Sequence, residues 1–394
     1  MKIWALSLLI VLSITISCGK VPDNSFNISD VNLHIKDIDI IKTKTFEGLL
    51  LGGDFDRNEI FINQTLYPDD NISIGIIDIE TENQKKTFSL RKGGLQSPSD
   101  LYNPTYMQFL DNRYYIVDWF DKILVFDYEL TYLYTNMFHI ARYFMDFYKK
   151  NGELFFVIGK RSAGPEINTC SIEIFKVIER KQQDFKRRIG ENYHKSLYYT
   201  WESDEKILQK GVLWSSDWGF EKDGKIYFAH GGERQYFVYD LNNESSASIN
   251  LDYLQGKKYS DNEARIVGYY KSNGWEEKFY KDFKQKILYK ALPDKIYYFG
   301  FYDVGENKIG IAGDLDLKRM KFRLDVFNAN SREYLGSIWL PIGHGFFRHL
   351  HSDERDFFHE RINVDRGIYI WLDLEGEDLE FTTKLTRFKI KNRK

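Results

Sequence analysis

The sequence predicts an all-β fold, a six-bladed β-propeller with a helical insertion at about residues 255–292, and three observations carry that prediction. The first is composition: 27 Tyr, 30 Phe and 8 Trp make the chain 16% aromatic, and such residues suit pleated, half-buried surfaces. The second is a unit of two β-rich strands that recurs six times with no shift of composition between copies. The third is a strand left over at each end of the 394 residues, which is what a ring needs in order to close without an open edge.

In chain order, the first strands of the units are Glu59-Ile60-Phe61-Ile62, Tyr114-Tyr115-Ile116-Val117, Leu154-Phe155-Phe156-Val157, Lys225-Ile226-Tyr227-Phe228, Lys308-Ile309-Gly310-Ile311 and Gly367-Ile368-Tyr369-Ile370. The second strands end in an apolar or aromatic residue followed by a polar one, as in Ile74-Gly75-Ile76-Ile77-Asp78, Ile123-Leu124-Val125-Phe126-Asp127, Tyr236-Phe237-Val238-Tyr239-Asp240 and Leu324-Asp325-Val326-Phe327-Asn328. Ile172-Glu173-Ile174-Phe175-Lys176 and the weaker Thr386-Arg387-Phe388-Lys389 complete the set. A strand pair of this kind buries its faces only by stacking against further copies, and a radial stack is a propeller.

Ile60, Tyr115, Leu154, Ile226, Ile309 and Ile368 mark the units at intervals of 55, 39, 72, 83 and 59 residues, against roughly 40–50 for a typical blade. The two long intervals need insertions. One is the polar, charged stretch 181–210. The other spans about 255–292: Ser260 and Glu263 form a capping-box pattern, and Trp275, Phe279, Phe283 and Ile287 recur every four positions as a helical stripe. Glu276 and Glu277 at its start and Lys286 and Lys290 at its end suit the helix dipole. That helix either covers one face of the ring or packs on its rim. At the termini, Val31–Thr43 and Lys384–Ile390 both alternate, and the first is expected to complete the blade formed by the second.

The formal charge of −3, from 55 basic and 58 acidic residues, gives no electrostatic reason to bind nucleic acid. The basic run Arg180-Lys181 to Arg187-Arg188 is interrupted by Asp184 and reads as the solvated end of a long hairpin. Of the two cysteines, Cys170 lies in an apolar strand pattern and is expected to be a buried, inert thiol.

The first residues read as an address. Lys2 precedes an apolar run, Ile3–Ile16, too short to span about 30 Å of hydrocarbon but suited to a signal-peptide core. It stops at Thr15-Ile16-Ser17-Cys18-Gly19, which resembles the lipobox cut by the lipoprotein signal peptidase. That resemblance implies residues 1–17 as a lipoprotein signal peptide and an acylated Cys18 as the mature N-terminus. Thr15 departs from it, since the usual residue there is Leu, Val or Ile. Residues 18–30 are polar and turn-rich, a tether, and 31–394 form one propeller domain.

Together with Tyr115-Ile116-Val117-Asp118, Ile123-Leu124-Val125-Phe126-Asp127, and a glycine turn Lys92-Gly93-Gly94 leading to Pro98 and Asn103-Pro104, this start resembles the six-bladed, TolB-like propeller lipoproteins of Bacteroidetes-type bacteria. The resemblance covers most of the mature chain. The proline that many members carry between those glycines is missing here. It implies the fold and an envelope address, with a palmitate-type membrane anchor on the periplasmic or surface side of the outer membrane, and no particular activity.

No phosphate-binding glycine loop, nucleophile elbow or zincin helix occurs. Four site readings remain besides Cys18. His344, His349, His351 and His359 lie among acidic residues, and His349 and His351 would share a strand face as the start of a metal site; they are equally polar surface. Trp214 and Trp218 offer an aromatic platform for a sugar or peptide, or else fill the wedge between blades. Asp54, Asp146, Asp217 and Asp303 precede their markers by 6, 8, 9 and 6 residues, with Glu360 or His359 in the matching place of the last unit. On the innermost strands these acids either ring the channel, where oxygen ligands would suit Ca²⁺, or cap local turns. The expected function is a non-catalytic binding or scaffold lipoprotein of the cell envelope, with an envelope protein or glycan as partner and no obligatory cofactor. The alternatives are a propeller enzyme, lactonase- or lyase-like, with a metal in the channel, and a purely structural subunit of an envelope complex.

Overall fold

The computed structural model describes residues 35–65, 71–92, 99–118, 122–137, 142–161, 169–179, 186–189, 197–200, 206–213, 219–229, 235–243, 245–250, 301–316, 319, 321–341, 360–375 and 380–391. Two strands open it, β1 (Ile35–Lys36) and β2 (Ile38–Glu47). The first blade follows: β3 (Leu49–Asp54), β4 (Glu59–Asn63), β5 (Asn71–Asp78) and β6 (Gln84–Arg91). The second is β7 (Pro104–Leu110), β8 (Arg113–Asp118), β9 (Lys122–Asp127) and β10 (Tyr132–Met137). In the third, β11 (Arg142–Lys150), β12 (Glu153–Arg161) and β13 (Thr169–Lys176) are followed by a side hairpin, β14 (Lys186–Ile189) with β15 (Leu197–Thr200), before β16 (Lys206–Leu213) completes the sheet. The charged extension after residue 180 is therefore a hairpin, with Arg187 and Arg188 on its first strand.

The fourth blade is β17 (Gly219–Lys222), β18 (Lys225–Ala229), β19 (Gln235–Asp240) and β20 (Ser245–Asn250); the fifth is β21 (Phe301–Gly305), β22 (Lys308–Asp316), β23 (Lys321–Asn328) and β24 (Tyr334–Pro341). The sixth is β25 (Arg361–Asn363), β26 (Ile368–Glu375) and β27 (Glu380–Ile390), closed by β2 as its outermost strand. The ring thus closes as the sequence predicts, with Ile38 opposite Ile390 and Glu47 opposite Thr382. One addition was not foreseen: β1 first pairs in parallel with β24 of the fifth blade, so the entering chain clasps two blades. The fold is a six-bladed propeller. The expected helix at 255–292 lies outside the described residues.

The recurrent sequence unit proves to be the two central strands of each blade. They read as near-continuous apolar runs because neighbouring blades cover both of their faces. Phe61 packs into the seam with the second blade, beside Tyr114, Ile116, Leu124 and Phe126. Its neighbours Ile60 and Ile62 point the other way, onto Ile368, Ile370 and Leu385 of the sixth blade. Tyr115, Val117, Ile123 and Val125 likewise turn to Phe147, Phe156 and Phe175 of the third.

In four of the six units the polar residue that ends the second strand caps the turn to the outer strand. Asp78 Oδ1 accepts from Thr81 N at 2.7 Å, Asp127 Oδ1 from Thr131 N at 2.8 Å, Asp240 Oδ1 from Asn242 N at 2.8 Å and Asn328 Oδ1 from Ser331 N at 2.8 Å. Asp118 serves differently: it accepts from Asn103 N at 2.7 Å, beside buried Lys122 at 3.8 Å, and ties the approach to β7 onto its own blade.

Beyond its capped turn the outer strand is bulged in five blades. The extra residues, read from the register shifts, are Lys85, Leu133, Ile207, Leu335 and Ile41. Bulges twist an edge strand away from further pairing, which protects a ring whose rim is made entirely of edges.

Candidate functional site

The innermost strands β3, β7, β11, β17, β21 and β25 surround the channel, as in any propeller. Four of them also carry a bulge, at Leu51, Thr105, Met145 and Val304. A bulge re-aims the side chain that follows it, and after the second and third of these stand Tyr106 and Asp146. Tyr106 donates its hydroxyl to Asp146 Oδ1 at 3.1 Å, from the second blade to the third. Asp146 Oδ1 also accepts from Phe147 N, and Oδ2 accepts from Glu221 N of the fourth blade at 2.9 Å.

Arg361 reaches this group from the sixth blade, its guanidinium carbon 5.5 Å from the centroid of the Tyr106 ring. Gly52 of the first blade makes room for the Met107 carbonyl of the second, with Arg361 alongside. A Cβ there would collide with the Met107 carbonyl and come within 3.8 Å of Arg361 Nη2.

Asp146 and Arg361 keep some surface in the channel, yet burial is the largest influence on both. It pushes the Asp146 carboxyl up while Arg361 pulls it back, and Asp146 together with Tyr106 keeps Arg361 firmly charged. Glu221 is pushed up to about 8, by burial first and by the Asp146 charge second, although its Oε1 accepts from Gly224 N at 2.6 Å. Arg361 Nε is buried without an acceptor among the described residues.

The pattern continues round the ring, with a polar or cation–π contact across each seam. Lys222 joins the fourth blade to the fifth, donating to Asp303 Oδ1 at 2.5 Å and Gly305 O at 2.7 Å. Lys308 pairs with Asp365 of the sixth blade, and Arg366 of the sixth donates to Phe55 O and Asn58 Oδ1 of the first. Arg57 of the first blade lies 3.7 Å from the Phe109 ring of the second.

Of the acids singled out in the sequence, Asp146 and Asp303 each join blades, Asp146 with Tyr106 and the Glu221 amide, Asp303 with Lys222. Asp54 stands apart and caps its own turn, accepting from Asp56 N and Arg57 N at 3.0 Å each. Register separates Asp54 from Asp146: Asp54 lies opposite Glu59, one residue before the marker Ile60, and Asp146 opposite Val157, three residues past Leu154, while Asp303 lies opposite its own marker Ile309. Asp54 and Asp146 thus differ by four residues along the strand, roughly 13 Å. Among the described residues no three His, Cys, Asp or Glu side chains are grouped to hold a metal ion. Asp217, Trp214, Trp218, His344, His349, His351, His359 and Cys18 lie outside the described residues. Cys170 lies on β13, opposite Arg161 and Val212.

Glu360 is not in the channel belt. It is buried, one residue before Arg361, near the hydroxyls of Tyr302 from the fifth blade and Tyr369 from the sixth, and among the described residues neither its carboxyl oxygens nor the Tyr369 hydroxyl has a hydrogen-bond partner. Burial pushes this carboxyl up to about 8. The unfolded chain therefore releases the proton first, so stability falls as pH rises from about 4.5 to about 8 and is level beyond, at no more than about 1.4 kcal/mol per pH unit for this one group. Glu221 acts in the same sense. Glu360→Gln, neutral throughout, is expected to remove this contribution, so that denaturation midpoints fall less steeply over that range. A slope identical to the wild type would refute the assignment.

Tyr106, Arg361, Glu221 and Lys222 were not legible as site residues. Each is set in an ordinary strand, and only the bulges and the ring bring them together. The doublets before the markers, Asp146-Phe147 and Asp303-Val304, were the available signal.

No family model matches the sequence, and no curated protein matches it. Among solved structures, a member of the DUF4221 family from Bacteroides vulgatus is similar at 13% identity and a TM-score of 0.48, over 90% of this chain and 98% of that one. The WD40 repeats of RRP9 are similar at 9% identity and a TM-score of 0.47, over 89% and 100%. BamB from Moraxella catarrhalis gives 8% and 0.35, over 88% and 85%. At such values these are likenesses of shape and carry no argument about chemistry.

Proposed function

We infer that the chain is a non-catalytic binding or scaffold propeller of the cell envelope, held to a membrane by lipid on Cys18. The observation that carries the scaffold reading is the use of the channel acids. Asp146 accepts from Tyr106 of one neighbouring blade and from the Glu221 amide of the other, and Asp303 accepts from Lys222. Carboxylates engaged in this way join blades rather than waiting for a substrate, and the rigid ring they stabilise is suited to displaying loops to a protein or glycan partner.

The anchor rests on the apolar run that stops at Ser17. Acyl chains on Cys18 would hold the protein stably, since each buried methylene contributes about 0.8 kcal/mol. Cys18→Ser is expected to release a soluble protein or to stall processing, read by fractionation and by the mass of the N-terminal peptide. A processed serine variant retained on membranes as firmly as the wild type would overturn the anchor.

One observation favours the enzyme reading instead: the unsatisfied Arg361 Nε and the upshifted Glu221 share the channel, and perturbed groups in a channel are where active sites cluster. Under that reading a small polar substrate would sit beside Arg361 and Glu221, and a Ca²⁺ ion would need ligands beyond Asp146, Glu221 and Asp303, which are not grouped to hold one. Metal analysis of the protein purified from native envelopes, with identification of what co-purifies, separates the two. Stoichiometric calcium, with a melting temperature that falls on chelation, would replace the scaffold by the enzyme. A co-purifying protein or glycan with no metal would support the scaffold.

A further inference from the structure

Five large apolar side chains are exposed among the described residues, and three of them belong to the rim where the chain enters the ring. Ile40 is 51% exposed, Ile41 57% and Leu335 47%. Ile41 and Leu335 hold equivalent places. Ile40 pairs with Phe388 as Tyr334 pairs with Phe327, and each is followed by the bulge residue of its outer strand.

The other rim bulges with described side chains are used up within the protein. Lys85 pairs with Asp78 at 2.8 Å and Glu59 at 3.4 Å, and Leu133 packs into the seam between the second and third blades. Only on the fifth and sixth blades, among those described, do the bulges turn bare aliphatic side chains outward.

Three further observations say what covers them. The described chain begins here: β1 runs parallel to β24 from opposite Ser337, two residues past Leu335, so a lipid-anchored N-terminal segment would be joined to the ring at this rim. Of the exposed charges without an ion pair among the described residues, Lys36, Lys44 and Lys389 stand against Glu47 and Glu333, while Asp37 and Asp39 pair with Lys321 at 3.6 Å and Lys391 at 2.9 Å. Finally, the bulges disfavour an added strand along β2, which argues against a second copy or an extended peptide as the occupant. Aliphatic side chains flanked by lysines beside a membrane tether suit the headgroup layer of an anionic bilayer, where apolar groups enter the acyl boundary and ammonium groups meet phosphate.

We propose that the rim of the fifth and sixth blades, with Ile40, Ile41 and Leu335 at its centre and Lys36 and Lys44 beside them, docks on an anionic phospholipid surface and sets the orientation of the ring against the membrane. The orientation rests on the anchored reading above; the affinity of the patch for lipid does not.

The test uses the full protein purified from native membranes in a Cys170→Ser background. An environment-sensitive dye is placed on Ile40→Cys, or on Lys150→Cys at the exposed turn of the opposite blade. Each is mixed with vesicles of phosphatidylethanolamine and phosphatidylglycerol whose acyl chains are brominated. If apolar groups enter the acyl boundary, the Ile40→Cys emission should fall about twofold or more relative to unbrominated vesicles, with the Lys150→Cys emission unchanged. Equal emission from both sites in both vesicles would overturn the docking surface. An Ile40→Cys signal that follows protein concentration without vesicles would also overturn it, in favour of a second copy. The mass of the Cys18 peptide, read on the same sample, decides the anchor separately.

Discussion

Tyr114→Ala is expected to destabilise the protein by about 3–5 kcal/mol, the range for deleting a large buried aromatic. Tyr114 is buried at the seam of the first two blades, where its ring meets Phe109 at 4.6 Å, Phe88 at 5.3 Å and Phe61 at 6.1 Å, all edge-on. Two of these partners come from the first blade and one from its own, so truncation opens a cavity between rigid sheets that cannot close round it. Tyr114→Phe is the control. Burial pushes the phenol up to about 12, so it is neutral at working pH and its loss should cost no more than about 1.5 kcal/mol, the worth of one neutral hydrogen bond. Denaturant midpoints at unchanged m-value measure both. A loss below about 1.5 kcal/mol for the alanine variant would mean that the blades do not depend on this aromatic knot.

Arg361→Met is expected to cost about 2–4 kcal/mol, somewhat below the figure for breaking a fully buried ion pair because some channel surface remains. The methionine keeps the bulk of the arginine stem but leaves the Asp146 carboxylate, already pushed up by burial, without the charge that opposes it. The double variant Arg361→Met with Asp146→Asn should lose less than the sum of the singles, since neither charge is then stranded. Strict additivity in the cycle would show that the two groups act independently. A melting curve followed across pH sharpens the result. In Arg361→Met the Asp146 carboxyl should rise further, so the decline of stability with rising pH should continue to higher pH than in the wild type.

The β class, the number of blades and the manner of closure were legible because each depends on local pattern. A strand buried on both faces must be apolar at consecutive positions, as Tyr114 to Val117 and Ile123 to Phe126 are. A capped turn needs Asp or Asn at its start, as Asp127 and Asn328 show. The innermost and outermost strands were much harder to read. Those facing the channel are short and mixed, like Gly219–Lys222, and those on the rim are largely exposed, like Ile38–Glu47; neither forces an apolar run.

The sequence by itself determined that Asp146 and Asp303 stand just ahead of their central strands. Only the tertiary structure decided that Asp54, in a similar place, caps its own turn, while Asp146 is shared by Tyr106, Glu221 and Arg361 from three other blades. The physical reason is register. One bulge shifts which side chain meets the channel, and groups more than two hundred residues apart become neighbours only when the ring has closed.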